Sequence, residues 1–93
     1  MIFEWDAEKA EINQSKHAVT FDEAATVFED YFFVDFYDPG HSADEHRFLI
    51  IGESDQARLL IVSYTERDDK IRIINARELT QQERRIYEHG KFE

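Results

Sequence analysis

Two stretches in the first third of the chain are predicted to be helices, and the second of them has the apolar spacing of a helix. The apolar side chains of the second stretch repeat at i, i+3, i+4 and i+7, and they are Phe21, Ala24, Ala25 and Phe28. This spacing predicts a helix that buries one face, and Thr20 with Glu23 has the capping-box spacing at its start. An earlier helix is predicted from Asp6, as its N-cap, to about His17. Residues 2–5 precede it as a short strand.

Beyond residue 30 the pattern becomes short runs of β-branched and aromatic residues separated by turns. These runs predict strands over residues 31–37, 46–53, 58–65 and 70–76. Their short connections favour an antiparallel meander. Thr80 and Glu83 repeat the capping-box spacing and open a final helix that ends near Gly90. The order β-α-α-β-β-β-β-α predicts one domain over residues 1–93, with an α+β fold and helices packed on one face of the sheet.

Alternation within the last strands assigns side chains to the two faces of this sheet. Ile71 and Ile73 point one way and Arg72 the other, so Arg72 is expected on the open face if the isoleucines lie under the helices. Arg47 enters the first strand of the meander, Arg67 sits at a turn, and Arg77 follows the last strand. The side chains expected to be largely buried are Phe21, Phe28, Phe48, Ile50, Leu59, Ile61, Ile71 and Ile73, with Ala24 and Ala25 against the sheet.

Composition and charge restrict the class of protein. The chain is 42% hydrophobic and 14% aromatic, which is enough apolar material for a packed core. It has no cysteine, and its N-terminal residues lack the pattern of a signal peptide, so we expect a cytoplasmic protein. The net charge of −10 argues by itself against a nucleic-acid binder. Residues 1–46 carry twelve acidic and two basic side chains, however, whereas residues 47–93 carry nine of each, so a local basic face remains open.

Arginine and tyrosine residues of the C-terminal half are the candidates for chemistry. Guanidinium groups bind phosphate oxygens, and aromatic rings stack on unpaired RNA bases. RNA carries its own nucleophile, the 2′-hydroxyl, so a protein that cleaves it needs no metal and no cofactor. The alternative is that these arginines pair on the surface with carboxylates, namely Glu66, Glu78, Glu83 and Glu88.

Two histidines suggest a weaker alternative, a metal-dependent hydrolase. His41 and His46 flank an acidic loop, but their spacing matches no standard zinc motif. We expect no bound metal.

Motifs along almost the whole chain, in order, resemble those of BrnT-type toxins. They are Phe3-Glu4-Trp5-Asp6, Lys9-Ala10, Asn13, Lys16-His17, Phe21-Asp22-Glu23-Ala24, Val27-Phe28-Glu29-Asp30, Asp38, His41, Glu45-His46-Arg47-Phe48, Ile51-Gly52-Glu53-Ser54, Tyr64-Thr65-Glu66-Arg67, Arg72-Ile73-Ile74-Asn75-Ala76-Arg77 and Glu83-Arg84-Arg85 with Tyr87-Glu88. The resemblance implies a RelE-like fold with a strongly bent antiparallel four-stranded sheet, two N-terminal helices and one C-terminal helix.

The same resemblance implies a ribonuclease toxin that arrests growth. Its partner would be a BrnA-type antitoxin with a DNA-binding dimer module, and the complex would repress its own operon; no membrane and no direct DNA contact by the toxin are expected. The catalytic candidates by this resemblance are Arg47, Tyr64, Arg67, Arg72, Arg77 and Tyr87, with Lys16, His17 and Glu66 as further positions. Neither the resemblance nor the residues assign the general base.

The chain departs from the family at two positions and in its charge. Ala18 and Ala57 stand where members often have glycine, and we expect turns there without positive φ. The acidity slows approach to RNA. It leaves open a second reading, an inactive antitoxin-binding co-repressor.

Overall fold

The structure is a computed structural model, and it describes residues 1–90. It contains five strands and three helices, which we number along the chain. They are β1 (Ile2–Glu4), α1 (Ala7–His17), α2 (Phe21–Thr26), β2 (Val34–Tyr37), β3 (Arg47–Glu53), β4 (Leu59–Arg67), β5 (Lys70–Glu78) and α3 (Gln81–His89). The predicted α+β class and order of elements are confirmed.

The strands form one sheet in the order β1-β5-β4-β3-β2. β2 to β5 are antiparallel neighbours, as predicted. The N-terminal strand adds a fifth member, and it runs parallel to β5. It can do so because the chain returns to β5 only after passing through α1, α2 and the other strands.

Side-chain caps fix the ends of the helices. The Asp6 and Thr20 side chains accept hydrogen bonds from the backbone N–H groups of Lys9 and Glu23, at 3.0 and 3.1 Å. The predicted capping box is complete only at Thr80. At α2 the Glu23 carboxylate turns away and binds Arg58 and Ser54 instead.

One face of the sheet, called the core face, is covered by α1 and α2. Its buried centre includes Phe21, Ala24, Ile50, Val62 and Ile73. Three of the side chains predicted to be buried, Phe28, Phe48 and Ile71, lie half-buried at its edge. The orientation of Ile71 and Ile73 toward the helices is confirmed.

The opposite face, called the cleft face, carries α3, so the prediction of helices on one face only is wrong. Ile61 is buried there as expected, together with Ile51 and Leu79, while Leu59 is half-buried. Ile86 of α3 packs against this second cluster. The helix covers only one end of the face, and the other end is left to polar residues.

A β-bulge in β5 places its arginines on the same face. Tyr64 pairs with Ile73, but the next residue of β4, Ser63, pairs with Asn75, so Ile74 is an extra residue. Strict alternation would have put Arg77 on the side of Ile73. The extra residue reverses the alternation, so that Arg77 shares the cleft face with Arg72. β5 also runs to Glu78, and Arg77 therefore lies within the strand and not beyond it.

Three local predictions need correction. Ala18 and Ala57 both have positive φ, at 56° and 60°, because they end α1 and a tight turn respectively. The strand predicted from residue 31 begins only at Val34, because Asp30 accepts backbone hydrogen bonds from Phe32 and Phe33 in a turn. None of the helices within residues 1–90 is both long and apolar enough to cross a membrane.

Candidate functional site

A cleft of about 250 Å³ opens on the cleft face beside α3, and we call it the arginine cleft. Leu49 and Ile61 form its apolar floor. Its polar lining comes from three strands, one loop and α3, and consists of Asp38, His41, Arg47, Ser63, Asn75, Arg77 and Glu83. Strands β3, β4 and β5 hold their side chains in fixed register there, which is the rigidity that a catalytic site needs.

Arg77 enters the cleft as one half of an ion pair. Its Nη1 and Nη2 donate to the two carboxylate oxygens of Glu83 at 2.8 and 2.9 Å. This hydrogen bonding lowers the pKa of Glu83 and raises the pKa of Arg77, so both stay charged. The pair fixes the direction of the guanidinium, whose remaining N–H groups can still donate to an anion.

Arg47 differs from the other strand arginines because its guanidinium has no carboxylate partner among residues 1–90. Its backbone, in contrast, is firmly held. The Arg47 N–H donates to the Ser42 hydroxyl at 2.9 Å, that hydroxyl donates to the carbonyl of Asp38 at 2.6 Å, and the Asp38 N–H donates to the carbonyl of Arg47 at 2.9 Å. These bonds fasten the loop after β2 beside Arg47.

The same loop brings a histidine and an aspartate to the cleft. The short helical turn Pro39–His41 places Nδ1 of His41 2.9 Å from Oδ2 of Asp38. The Asp38 side chain is mostly buried, whereas 71% of the His41 side chain is exposed. A carboxylate that accepts from Nδ1–H leaves Nε2 as the basic nitrogen. The contact with Asp38 thus occupies Nδ1 of His41 and leaves Nε2 without a partner among residues 1–90.

Arg67 lies beside the cleft and does not line it. Its Nε and Nη2 donate to the carboxylate of Glu45, both at 3.0 Å. It lines a second depression of about 540 Å³ that shares His41 and Arg47 with the arginine cleft. The two depressions thus adjoin at His41 and Arg47, and Arg67 lines only the second.

Arg72 is on the cleft face, as predicted, but outside the cleft. Its Nη1 donates to the carboxylate of Glu4 at 3.3 Å. The register puts Arg47, Thr65 and Arg72 in one row across three strands, so the Cα atoms of the two arginines are about 10 Å apart.

The two tyrosines do not join these arginines. Tyr64 lies on the core face, is 5% exposed, and donates only a 3.4 Å hydrogen bond to Asp35; burial raises the pKa of its hydroxyl. Tyr87 of α3 donates to Asp30 at 2.6 Å. Its burial and this bond raise the pKa of Tyr87 to about 12. Glu66 is exposed and lines a separate depression with His46 and Phe48.

Sequence reasoning considered His41 only as a metal ligand, and it assigned no catalytic role to Asp38, Ser63, Asn75 or Glu83. The Asp38 and His41 spacing of i, i+3 was a usable signal, because one short turn then brings the two side chains together. Asn75 was hidden by the bulge, which alternation cannot reveal.

The two histidines of the metal alternative are engaged separately. His41 contacts Asp38, and Nδ1 of His46 lies 3.1 Å from the Tyr37 hydroxyl. Within residues 1–90 no group of three or more histidine, cysteine, aspartate and glutamate side chains is placed to hold a metal ion. The absence of bound zinc remains a prediction, which elemental analysis of the purified protein checks.

Comparisons with known proteins identify relatives of the chain. The family model described as the ribonuclease toxin BrnT of type II toxin–antitoxin systems matches residues 5–83. The crystal structure of the Brucella abortus ribonuclease toxin BrnT superimposes with a TM-score of 0.63 at 21% sequence identity, covering 87% of this chain and 100% of that chain. That likeness shows a shared fold. Among curated protein sequences, no significant match was found.

Proposed function

The chain belongs to the BrnT family of ribonuclease toxins from type II toxin–antitoxin systems, and we propose that it cleaves RNA without a metal in the arginine cleft. The observation that carries this proposal is the position of His41. An aspartate-oriented histidine lies beside two arginines in one concave site. These are the groups that attack by a 2′-hydroxyl requires.

The proposed reaction uses each group once. Arg47 and Arg77 bind the non-bridging oxygens of the scissile phosphate and stabilise the charge that grows on them. Nε2 of His41 accepts the proton of the 2′-hydroxyl, whose oxygen forms a bond to phosphorus. The bond from phosphorus to the 5′ oxygen breaks, and that oxygen takes a proton from solvent. The products are a 2′,3′-cyclic phosphate and a free 5′-hydroxyl.

Asp38 and Glu83 act as positioning residues in this scheme. Asp38 fixes the tautomer and the direction of His41, and Glu83 fixes the guanidinium of Arg77. Leu49 and Ile61 give the cleft an apolar floor. A less polar surrounding strengthens the attraction between the arginines and the phosphate.

A type II system supplies a protein antitoxin, and we propose that a BrnA-type protein with a DNA-binding dimer module covers the arginine cleft. The support is the charge distribution, because a strongly acidic chain carries Arg47, Arg72 and Arg77 on one face of its sheet. Co-expressed toxin and antitoxin should elute from gel filtration as one complex, and they should do so at micromolar concentration. Independent elution would contradict this partnership. The proposed site of action is the cytoplasm, where both partners and RNA are present.

A second candidate function, an inactive co-repressor that only binds the antitoxin, also has an observation in its favour. Arg67, Arg72 and Arg77 each pair with a carboxylate already. If these pairs persisted in the presence of RNA, only Arg47 would be left to hold phosphate.

A cleavage assay separates the two functions. The purified chain is incubated with a labelled single-stranded RNA and with the same oligonucleotide carrying one 2′-deoxyribose at each cleaved position. Cleavage of the first only, with a 2′,3′-cyclic phosphate product in the presence of a chelator, supports the proposed mechanism. Expression in cells with and without the antitoxin gives the matching growth readout. A folded chain that cleaves no RNA and does not arrest growth would leave the co-repressor function.

A further inference from the structure

A depression between α1 and β5 borders the arginine cleft and differs from it in charge. It has a volume of about 360 Å³ and shares Asn75 and Arg77 with the cleft. Its other polar lining residues are Lys9, Asn13, Lys16 and His17. Among residues 1–90 no carboxylate lines it, although the whole chain carries a net charge of −10. We call it the α1 depression.

The two lysines are unusual for where they occur. They are the only lysine or arginine residues among residues 1–46, a segment with twelve acidic side chains. Their spacing of seven residues puts both on one face of α1, where they are about 10 Å apart along the helix axis. Neither forms an ion pair with another residue of the described part of the chain. A helix whose two lysines both line the depression at the border of the arginine cleft is arranged to bind an anion.

The helix that carries the lysines is fixed to the strand that carries Arg77. Asn13 is buried, and its side-chain amide donates to the carbonyls of Ala76 and Val19 at 2.9 and 3.0 Å. Its side-chain oxygen accepts from the Ala76 N–H at 3.0 Å. Because Ala76 is the neighbour of both Asn75 and Arg77, Lys9 and Lys16 are held at a set position relative to the cleft.

We propose that the α1 depression binds the sugar–phosphate backbone of the RNA strand next to the scissile phosphate. This inference rests on the proposed function, since it extends the same substrate path. Lysine ammonium groups act as point charges for phosphates and carry no base information. Ile12, which is 48% exposed in this depression, offers an apolar surface to a ribose or a base. The α1 depression therefore sets affinity and the length of RNA bound, without setting sequence preference.

The test compares two charge-matched double variants. Lys9→Gln with Lys16→Gln removes two positive charges from the depression, and Arg84→Gln with Arg85→Gln removes two from the exposed side of α3. The probe is a ten-nucleotide RNA that cannot be cleaved because it carries 2′-deoxyribose at its cleaved positions. Dissociation constants are measured at several salt concentrations, and circular dichroism confirms the fold of each variant.

The lysine variant should bind this RNA at least about tenfold more weakly. Its log–log salt slope should fall by about 1.4, which is roughly 0.7 for each lost phosphate contact to a single strand. With cleavable RNA the loss should appear in KM more than in kcat. The arginine variant should stay within about twofold of the parent, since an exposed charge away from the strand acts only at long range.

Three results would overturn the proposal, and they are distinguishable. Equal weakening in both variants would mean that only net charge matters. Unchanged binding by the lysine variant, with an active parent, would place the RNA elsewhere and leave the proposed function standing. A parent that neither binds nor cleaves RNA would remove the inference and the proposed function together.

Discussion

The two faces of the sheet each carry an arginine, and the two arginines differ in their partners. On the core side Arg58 donates to Glu23, which is only 3% exposed, and to the carbonyl of Ala18. On the cleft face Arg47 has an equally well-fixed backbone, but its guanidinium has no carboxylate partner among residues 1–90. One arginine joins α1, α2 and the start of β4, and the other remains available to a ligand.

The core face therefore contributes mainly to the stability of the fold, and the cleft face to the proposed chemistry. The core face buries a continuous apolar cluster under α1 and α2, and the buried carboxylate of Glu23 is paired there with Arg58. The cleft face has a smaller apolar cluster under α3 and leaves polar side chains open beside it. Substitutions on the cleft face should therefore change activity and spare the fold, and substitutions at Glu23 should do the reverse.

The largest effect is expected from the cleft arginines. Arg47→Ala or Arg77→Ala should slow RNA cleavage by roughly a hundred- to a thousandfold, about 3–4 kcal/mol, because each contact strengthens in the transition state. Lysine should rescue poorly because the two-pronged contact is lost. Cleavage rates and growth arrest without antitoxin measure the effect, and urea unfolding checks the fold. Arg84→Ala on exposed α3 is the control.

Arg72 tests how far the active surface extends, because it lies on the cleft face but outside the arginine cleft. We expect Arg72→Ala to abolish growth arrest in a folded protein, as its position in the row with Arg47 suggests. Full toxicity of folded Arg72→Ala would confine the active surface to the arginine cleft. Full toxicity of Arg77→Ala as well would mean that the proposed site is wrong.

His41 tests which group moves the proton. His41→Ala should lower kcat by about a hundredfold, the lower range for loss of a general base, with little change in RNA affinity. Asp38→Asn should lower kcat in the same direction, since it disturbs both the tautomer and the orientation of the ring. His89→Ala, exposed at the end of α3, serves as the matched control. Normal turnover by His41→Ala would show that another group accepts the proton.

Glu23 tests the contribution of the core face to the free energy of unfolding. Its hydrogen bonds from Arg58, and then from Ser54, lower its pKa from the ordinary 4.5 against the cost of burial. Because the pKa of Glu23 is lower in the folded than in the unfolded chain, its carboxylate stabilises the folded protein at pH values above the unfolded pKa. This contribution is lost as pH falls through the folded pKa. Glu23→Gln should cost about 2–3 kcal/mol at pH 7, and the deficit should shrink below pH 4.5.

Urea unfolding of the parent and of Glu23→Gln between pH 3 and pH 7 measures this dependence. Glu88→Gln, exposed on α3, is the control and should follow the parent curve. A deficit that stays constant over the whole range would show that Glu23 acts through packing and not through its charge.

Local patterns predicted the elements of this fold, and non-local contacts explain what they missed. The i, i+3, i+4 spacing found α2, and capping residues found the starts of all three helices. The parallel pairing of Ile2 with Lys70 joins residues far apart in sequence, which no local pattern encodes. The packing of α3 against the sheet is also a non-local contact, and it decides which face α3 covers.

The candidate site was predictable where a side chain follows alternation and not where the backbone departs from it. Arg72 was placed correctly on the open face. Arg77 reached that face only because Ile74 forms a bulge. Tyr64 was grouped with the arginines through the resemblance, although alternation with Leu60 and Val62 puts it in the core.

The smallest effect concerns the two alanines with positive φ. Ala18 ends α1 at φ 56° and Ala57 lies in the Ser54–Arg58 turn at φ 60°. Placing a residue with a Cβ atom in this left-handed region costs roughly 1–2 kcal/mol of folded-state strain. Replacing it with glycine removes this strain, but part of the gain is lost because glycine gives the unfolded chain more conformational freedom. Ala18→Gly and Ala57→Gly should each stabilise the protein by about 0.5–1 kcal/mol.

The matched control for both is Ala7→Gly at the start of α1, where φ is helical and the same change should destabilise by about 0.5–1 kcal/mol. A gain of 0.5 kcal/mol corresponds to a rise in Tm of roughly 2–4 °C in a domain of this size. Thermal unfolding of the three variants beside the parent therefore resolves the sign. If Ala18→Gly lowered Tm as Ala7→Gly does, the left-handed end of α1 would carry no strain, and the Arg58 contact to the Ala18 carbonyl would account for its conformation. The cleavage rate of Ala18→Gly completes the comparison, because a change on the core side should raise stability and leave the chemistry of the cleft face as it was.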